Sequence, residues 1–486
     1  MNQFIDIANQ FINGEWKKGS ANKTMKIQNP YDNEVLKEVI IASKEDVNEA
    51  YMTAQKAQKV WADVPAEEKK KILLKAAQYM QDHEDEIVEV LVKESGSSVF
   101  KSKFEISASI EALKEAAEYP AQSNTVTTPS AIPDKVNYVI RKPLGVVSSI
   151  SPFNFPLFLS IRTIAPAIAT GNAVVHKPDL QTAISGGVVF AKMFEEAGLP
   201  PGAFNLIVTD ITELGDYFIE HPIPKLISFT GSTAVGKHIG KIAGETLKRV
   251  ALELGGNSPF LVLEDANIDE AVDAALFGKF LHSGQICMIV NRILVHRAVY
   301  DEFVEKFVSR ASKIKVGNPE DPDILLGPLI NERQIEKVMS MTEMAEKEGA
   351  TVALRGKRVG NAITPFVFTE VSNDSRIAQT EIFGPIATII PFETEEEGIH
   401  LANETEYGLS AGVFTKDLER GLAVAQQIES GMAHVNDQPV NVESGMPFGG
   451  EKGSGLGRFG GQWAFDEFTT VQWVTVQEKP RQFPFE

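Results

Sequence analysis

Three residues of this chain could do chemistry together: a thiol, a carboxylate and an amide. Cys287 is the only cysteine, and Phe280-Leu281-His282-Ser283-Gly284-Gln285-Ile286 leads into it, placing a polar, glycine-containing run directly before the sulfur. A free cysteine is most often a small buried hydrophobe. A glycine beside it marks close approach by a ligand or another backbone, which makes Cys287 a candidate nucleophile. An ordinary thiol is only ~3% thiolate at neutral pH, so such a nucleophile needs activation or an adjacent base. Glu253 offers the base. It lies between Leu252 and Leu254 before the turn Gly255-Gly256-Asn257, although most acids are simply exposed and paired. Asn154, in Ser151-Pro152-Phe153-Asn154-Phe155-Pro156, is an amide among aromatic rings. Its N–H could hold a developing oxyanion in a dry site, and the flanking prolines equally suit a plain turn.

Two glycine-rich stretches invite misreading. Gly231 to Lys237 matches most of a phosphate-binding loop, but His238 stands where a Mg²⁺-binding Ser or Thr is required. Nucleotide hydrolysis is therefore disfavoured, while a strand, a turn of small residues and a helix N-terminus at Gly231, Ser232 and Gly236 still favour a phosphate group. The second, Gly455-Leu456-Gly457-Arg458-Phe459-Gly460, has the spacing of a dinucleotide fingerprint but follows another glycine-rich run rather than a strand.

The elements that must position these groups read as an α/β pattern. Short apolar runs at 145–150, 173–176, 205–208 and 226–229 alternate with helical segments at 156–169, 181–197, 211–220 and 233–245. That alternation predicts a doubly wound parallel sheet, whose ligands bind outside the carboxyl ends of the strands. The polar motifs 151–156, 177–179 and 230–236 fall at those ends. A second α/β series begins near Glu253, with strands expected at 258–263, 290–296, 385–391 and 411–415. Upstream, Ser43 and Asp46 form a capping box opening a helix to about Trp61, and helical pattern runs from Ala66 to Tyr119 with a break at Ser95-Gly96-Ser97-Ser98. Val136, Tyr138 and Ile140 alternate as a strand, as do Val471, Trp473 and Val476 within 469–477; these two strands could pair between subunits or form an ordinary internal pair.

Bulk properties narrow the partners. The 486 residues need two or three domains. A formal net charge of −19 disfavours nucleic acid and anionic membrane. One cysteine excludes an internal disulfide and a cysteine-based zinc site, and fits a reducing cytosol. The eight histidines show no H-x-x-x-H spacing, so no metal is expected. The N-terminus has no basic, apolar leader, and the most apolar stretch, 143–175, carries Asn154, Arg162 and several prolines, which excludes a span. A cytoplasmic protein is expected.

Taken together, Pro-Phe-Asn-Phe-Pro (152–156), His-Lys-Pro (176–178), Phe-Thr-Gly-Ser-Thr (229–233), Glu-Leu-Gly-Gly-Asn (253–257), Gly-Gln-Ile-Cys (284–287) and Glu-Ile-Phe-Gly-Pro (381–385) occur in order. Asn403, Tyr407-Gly408-Leu409 and Pro447-Phe448-Gly449-Gly450 follow them. In these motifs, and in the 34 residues from Glu253 to Cys287, nearly the whole chain resembles the NAD(P)⁺-dependent aldehyde dehydrogenase superfamily. The resemblance implies a Rossmann-like dinucleotide-binding domain over 1–120 and 142–252, an α/β catalytic domain over 253–462, and a small β oligomerisation flap from 121–141 and 463–486. It also implies a homodimer or homotetramer.

Carried over, Cys287 is the nucleophile, Glu253 the general base, and Asn154 with the Cys287 backbone N–H the oxyanion hole. The implied reaction passes through a cysteine thiohemiacetal, loss of hydride to nicotinamide and a thioester that water hydrolyses. Lys177 and Glu381 resemble the ribose-binding pair, and Gly231, Ser232 and Gly236 the pyrophosphate turn. Ser151, Phe153, Leu254 and Phe383 complete the cofactor contacts. Two departures matter. Leu180 stands where many NAD-preferring relatives carry a ribose-binding Glu, and an acid there repels a 2′-phosphate, so both NAD and NADP are expected to serve. Phe153 stands where much of the family has Trp. With Gly-Gln-Ile-Cys-Met and the run His434 to Pro439, it makes the chain most similar to the benzaldehyde and vanillin dehydrogenase branch. Phe153, Phe155 and Phe158 are expected to supply aromatic surface near the pocket, unless they are core. Arg162, one turn beyond Phe158, could meet an acidic substrate or form a structural ion pair. An aliphatic or semialdehyde substrate is the alternative.

Overall fold

The computed structural model describes residues 2–122 and 125–485; Ser123 and Asn124, within the expected flap segment, lie outside the described residues, as do Met1 and Glu486. An eight-stranded sheet forms the first layer. From one edge its strands are Glu15–Lys17, Gln10–Ile12, Phe204–Leu206, Ala173–Lys177, Val146–Ile150, Leu226–Thr230, Arg249–Glu253 and Gly455–Leu456. The five strands from Phe204–Leu206 to Arg249–Glu253 are parallel. They are apolar on both sides because helices cover both faces. The parallel strands begin at the central Val146–Ile150, build outward to Phe204–Leu206, then return to Leu226–Thr230 on the other side. This reversal of order opens a crevice at the carboxyl ends of the central strands.

The second sheet has seven strands in the order Thr351–Leu354, Phe366–Thr369, Ile386–Phe392, Val290–His296, Ser258–Val262, Gly412–Phe414 and His434–Val435. All pair in parallel except the first. A third sheet is a three-stranded antiparallel ribbon of Thr125–Pro129, Lys135–Pro143 and Thr469–Gln477. Its last two strands pair with each other along nine residues, from Thr469 opposite Pro143 to Gln477 opposite Lys135. The two strands read from sequence as possible partners are thus partners within the chain.

Local chemistry explains where the helices start and stop. Ser43 and Asp46 form the reciprocal capping box at the start of Lys44–Ala62. The helices Glu84–Ser95 and Val99–Ala116 are separated by Gly96 in the left-handed region, where a Cβ would sit 2.7 Å from Pro328 Cγ. The helix expected over 181–197 is regular only in Val189–Ala197. Before it, Ile184–Val188 widens into a π turn, because the Ile184 and Ser185 amides donate to the buried Glu94 carboxylate. Gly187 also packs where a Cβ would lie 2.5 Å from Leu206. The segment expected as one helix over 211–220 is two single turns, Ile211–Leu214 and Tyr217–Glu220, broken by Gly215 at φ 56°. Among the described residues, no helix is long and apolar enough to cross a membrane.

Candidate active site

The crevice at the strand ends is where the chemistry gathers. A cavity of about 170 Å³ is lined by Phe153, Asn154, Gly231, Ser232, Leu254, Cys287, Glu381 and Phe383, all singled out from the sequence. Pro152, Leu159, Thr230, Gln334 and Lys337 complete its wall. Gln334 and Lys337 come from the helix Glu332–Lys347, which carries no motif and gave no signal in the sequence.

Cys287 is half-buried at the end of a turn that L-residues resist. His282, Ser283 and Gly284 all have positive φ, at 51°, 55° and 78°. A Cβ on Gly284 would lie 2.4 Å from the Gly384 carbonyl oxygen, so glycine is needed there on two counts. The turn is held from outside. Ser283 Oγ donates to Gly327 O at 2.8 Å, and the buried Gln285 side chain accepts from the Ile330 N–H at 3.0 Å. Among the described residues the Cys287 N–H finds no backbone acceptor. Burial pushes the thiol up to about 12. The nearby Glu253 charge adds to this, while Arg162 and the Met288 N–H oppose it.

Glu253 ends the strand Arg249–Glu253 and is only 2% exposed. Burial raises its carboxyl to about 7, against the pull of Arg162 and then Arg458. Neither carboxylate oxygen has a hydrogen-bond partner among the described residues. Arg162 Nη2 stands 3.8 Å from Oε2. The turn after Glu253 presses on the nucleophile: a Cβ on Gly256 would lie 2.2 Å from the Cys287 carbonyl oxygen. Asn154 is buried, and its Nδ2 donates to Gln285 O at 2.9 Å. That bond takes one of the two amide N–H groups and leaves the other available.

The remaining expected residues divide into those that face the cavity and those that support it. Phe153 and Phe383 meet edge to face, ring centroids 5.9 Å apart, with Phe383 at φ 54°. Glu381 Oε1 accepts from the Gly256 N–H at 3.1 Å, and burial raises its carboxyl. Lys177 ends its strand; burial lowers its ammonium, which makes no hydrogen bond among the described residues. Ser151 is outside the cavity lining, its Oγ accepting from Ser160 at 2.7 Å. Gly236 is also outside it: a Cβ there would lie 2.2 Å from Leu254 Cδ2, so it lets the helix Thr233–Glu245 pack on the strand ends.

A dinucleotide fits this arrangement on its own chemistry. The helix Thr233–Glu245 begins at Ser232 with no side-chain cap, leaving its first amides for an anion. A Cβ on Gly231 would meet the Phe229 ring at 2.4 Å, so the turn stays open. Gln334 Oε1, on the cavity wall, is buried without a partner among the described residues. Asp179 spends its Oδ1 on the Gln181 N–H, so it caps Leu180–Thr182 instead of replacing the acid absent at Leu180.

The three phenylalanines do not share one surface. Phe153 belongs to the first cavity, and Phe155 is core, beneath the Lys101 ammonium at 4.1 Å and against His282. Phe158 lines a second, narrow cavity of about 30 Å³ with Ala116, Arg162, Val442, Met446 and Phe448. The Arg162 guanidinium carbon there is 4.1 Å from the Phe448 ring centroid and 4.8 Å from that of Phe459. Its Nε and Nη1 are buried without hydrogen bonds among the described residues. Of the two roles open to Arg162, an ion pair is therefore present, directed at Glu253. Phe448 and Phe459, which supply most of the stacking surface, were not legible as such.

Residues 16–474 match the aldehyde dehydrogenase family model. The chain is similar to a vanillin dehydrogenase of Corynebacterium glutamicum, 48% identical over 97% of this chain and 98% of that one. It is also similar to a benzaldehyde dehydrogenase of Bacillus subtilis, 46% identical over the full length of both. Among solved structures, a NAD-dependent benzaldehyde dehydrogenase from Corynebacterium glutamicum superposes with a TM-score of 0.90, at 45% identity over 97% of this chain and 98% of that one.

Proposed function

This chain belongs to the aldehyde dehydrogenase family, and we propose that within it the protein oxidises an aromatic aldehyde, of benzaldehyde or vanillin type, to the carboxylic acid with NAD⁺ or NADP⁺. The observation that carries the reading is a Cys287-lined cavity suited to a dinucleotide together with a second cavity walled by Phe158, Phe448 and the stacked Arg162, whose guanidinium pairs with Glu253. A narrow slot of rings favours a flat aromatic substrate over a flexible chain, and the names of the relatives above agree.

The residues take the following roles. Cys287 is half-buried, so its thiol proton can pass to solvent at the open end of the crevice, leaving Glu253 for the later step. The Cys287 sulfur then bonds to the aldehyde carbon, and the carbonyl oxygen becomes an oxyanion within reach of the free Asn154 N–H and the Cys287 N–H. Lys177 and Glu381 would hold the cofactor's ribose, and Gly231, Ser232 and the first turn of Thr233–Glu245 its pyrophosphate; Ser151, Phe153, Gly236, Leu254 and Phe383 would shape the remainder of that site. When bound, the nicotinamide supplies the two-electron acceptor that turns the adduct into a thioester. Glu253 next takes a proton from water, hydroxide adds to the thioester carbon, and the Cys287 thiolate leaves as the acid is released.

The division into a dinucleotide-binding part (1–120, 142–252), a catalytic part (253–462) and a flap (121–141, 463–486) belongs to the same proposal. So does assembly as a homodimer or homotetramer, supported by Val471, Trp473 and Val476 exposed on the third sheet. A thiol nucleophile suits a reducing, cytoplasmic setting. The test is kcat/KM for benzaldehyde, vanillin, succinic semialdehyde and an aliphatic aldehyde, followed by NADH absorbance. The aromatic pair should lead by at least about tenfold, or about 1.4 kcal/mol. A lead for succinic semialdehyde would move the substrate class to semialdehydes, with Arg162 as the carboxylate's partner.

A further inference from the structure

Behind Asn154 lies an ion pair that none of these steps uses. Lys101 and Glu105 are one turn apart on the helix Val99–Ala116, both side chains fully buried, with Nζ and Oε2 separated by 2.5 Å. A buried pair is a weak source of stability, because desolvating two ions offsets most of their attraction unless further hydrogen bonds complete them. Here each ion has such partners, and all of them belong to one short segment.

Lys101 Nζ donates to the Asn154 carbonyl oxygen at 2.8 Å. Glu105 Oε1 accepts from the Leu157 N–H at 2.8 Å and the Phe158 N–H at 3.0 Å. Those amides are orphan donors of the helix Pro156–Ala169, whose N-cap, Phe155, has no side-chain oxygen to offer. The carboxylate of one helix thus caps the next, where the helix dipole favours an anion. The ammonium holds the residue just before it.

We infer that Lys101 and Glu105 form a two-ended clamp on residues 154–158 that sets the Asn154 amide against the nucleophile loop, making both of them positioning residues for the oxidation. The physical need is specific. Asn154 sits between a strand end and a proline-started helix, in a segment with no ladder of its own. Among the described residues its side-chain amide makes one hydrogen bond, to Gln285 O. An oxyanion donor misplaced by about 1 Å forfeits much of its effect. Charge-assisted hydrogen bonds at both ends of the segment limit that displacement more stiffly than neutral ones. The clamp rests on the reading of Asn154 as an oxyanion donor.

The test compares the wild type with Lys101→Met/Glu105→Gln, Asn154→Ala and the triple variant, all in the full-length enzyme. Replacing both ions with neutral groups of similar size leaves no uncompensated buried charge. The readouts are the single-turnover rate of NADH formation from benzaldehyde, the KM for the aldehyde, cofactor affinity by fluorescence and the melting temperature. The double variant should lose about 10- to 100-fold in rate, less than removing an oxyanion donor outright. Its KM and cofactor affinity should stay within about threefold, and the triple variant should match Asn154→Ala within about twofold, since coupled residues are non-additive. Where the double variant does not fold, Glu105→Gln alone, which keeps an acceptor for both amides, should give a smaller loss with the same non-additivity. Wild-type turnover in a folded variant, or losses that multiply in the triple variant, would overturn the clamp and leave the pair a purely structural one. A wild-type rate in Asn154→Ala would overturn the oxyanion reading itself, and the clamp with it.

Discussion

Replacing Arg162 with leucine should raise the pH at which the enzyme becomes active. Arg162 Nη2 lies 3.8 Å from Glu253 Oε2, both groups are buried, and the guanidinium is among the influences that hold the carboxyl down near 7 against its burial. Two unit charges at this separation interact by about 4 kcal/mol at an effective dielectric of about 20. At 1.36 kcal/mol per unit, the loss is worth at most about three pH units. Water entering the vacated space will screen part of it, so the expected shift is about one to three units. Hydrolysis of the thioester needs the carboxylate, so activity is lost as pH falls through the Glu253 pKa and the limb moves to above about pH 8 in the variant. The assay is rapid mixing with benzaldehyde and saturating cofactor over a pH series, separating the initial burst of NADH from the steady state. Near pH 7.5 the steady-state rate should fall by about threefold for a shift of one unit and by about 200-fold for three, and it should converge on the wild type at high pH. Arg162→Lys, which keeps the charge, should shift the limb less. A limb that stays in place when the charge is removed would refute the pairing of Arg162 with the catalytic carboxylate.

Other expectations follow from the same geometry. Asn154→Ala should lower kcat by roughly 10²–10³ with little change in KM, and an effect confined to KM would argue for a binding role. Without an acid at Leu180, selectivity for NAD⁺ over NADP⁺ should stay below about a thousandfold, or roughly 4 kcal/mol, when each is titrated at fixed aldehyde; a larger ratio would mean that another group rejects the 2′-phosphate. The raised Glu253 carboxyl also makes a stability statement. The folded state keeps a proton that an unfolded Glu releases, so its contribution is full below about pH 4.3 and is lost as pH rises through about 7, roughly 3 kcal/mol in all. Glu253→Gln escapes that loss, and its melting temperature should gain on the wild type between about pH 5 and pH 8. A constant difference would contradict the raised pKa.

Where neighbouring residues decide structure, the sequence was readable. The helices Pro156–Ala169 and Thr233–Glu245 and the strands Val290–His296 and Thr469–Gln477 lie where spacing put them, because apolar periodicity and flanking Gly or Pro are local signals. The segment 181–197 misled because its apolar period is helical, while Glu94, ninety residues away, takes the amides that a regular first turn would use. The chemical groups on the motifs were legible, and the cavity lining gathers eight of them. Their supports were not. Lys101 and Glu105 were not singled out, since nothing local reveals that Asn154 and Phe158 will pack over them. Phe448 and Phe459 looked like parts of a glycine-rich loop. Arg162 was visible, but its partner Glu253, 91 residues on, is brought near only by the parallel sheet.

The most direct test of the central claim is chemical identification of the intermediate. Glu253→Gln enzyme, mixed with benzaldehyde and NAD⁺ and quenched in acid, should release about one NADH per active site and then stall, with one benzoyl group on the peptide carrying Cys287 by mass spectrometry. Cys287→Ala, treated alike, should give neither NADH nor adduct. NADH formed without an acylated Cys287, or turnover surviving in Cys287→Ala, would contradict the assignment of this cysteine as the nucleophile.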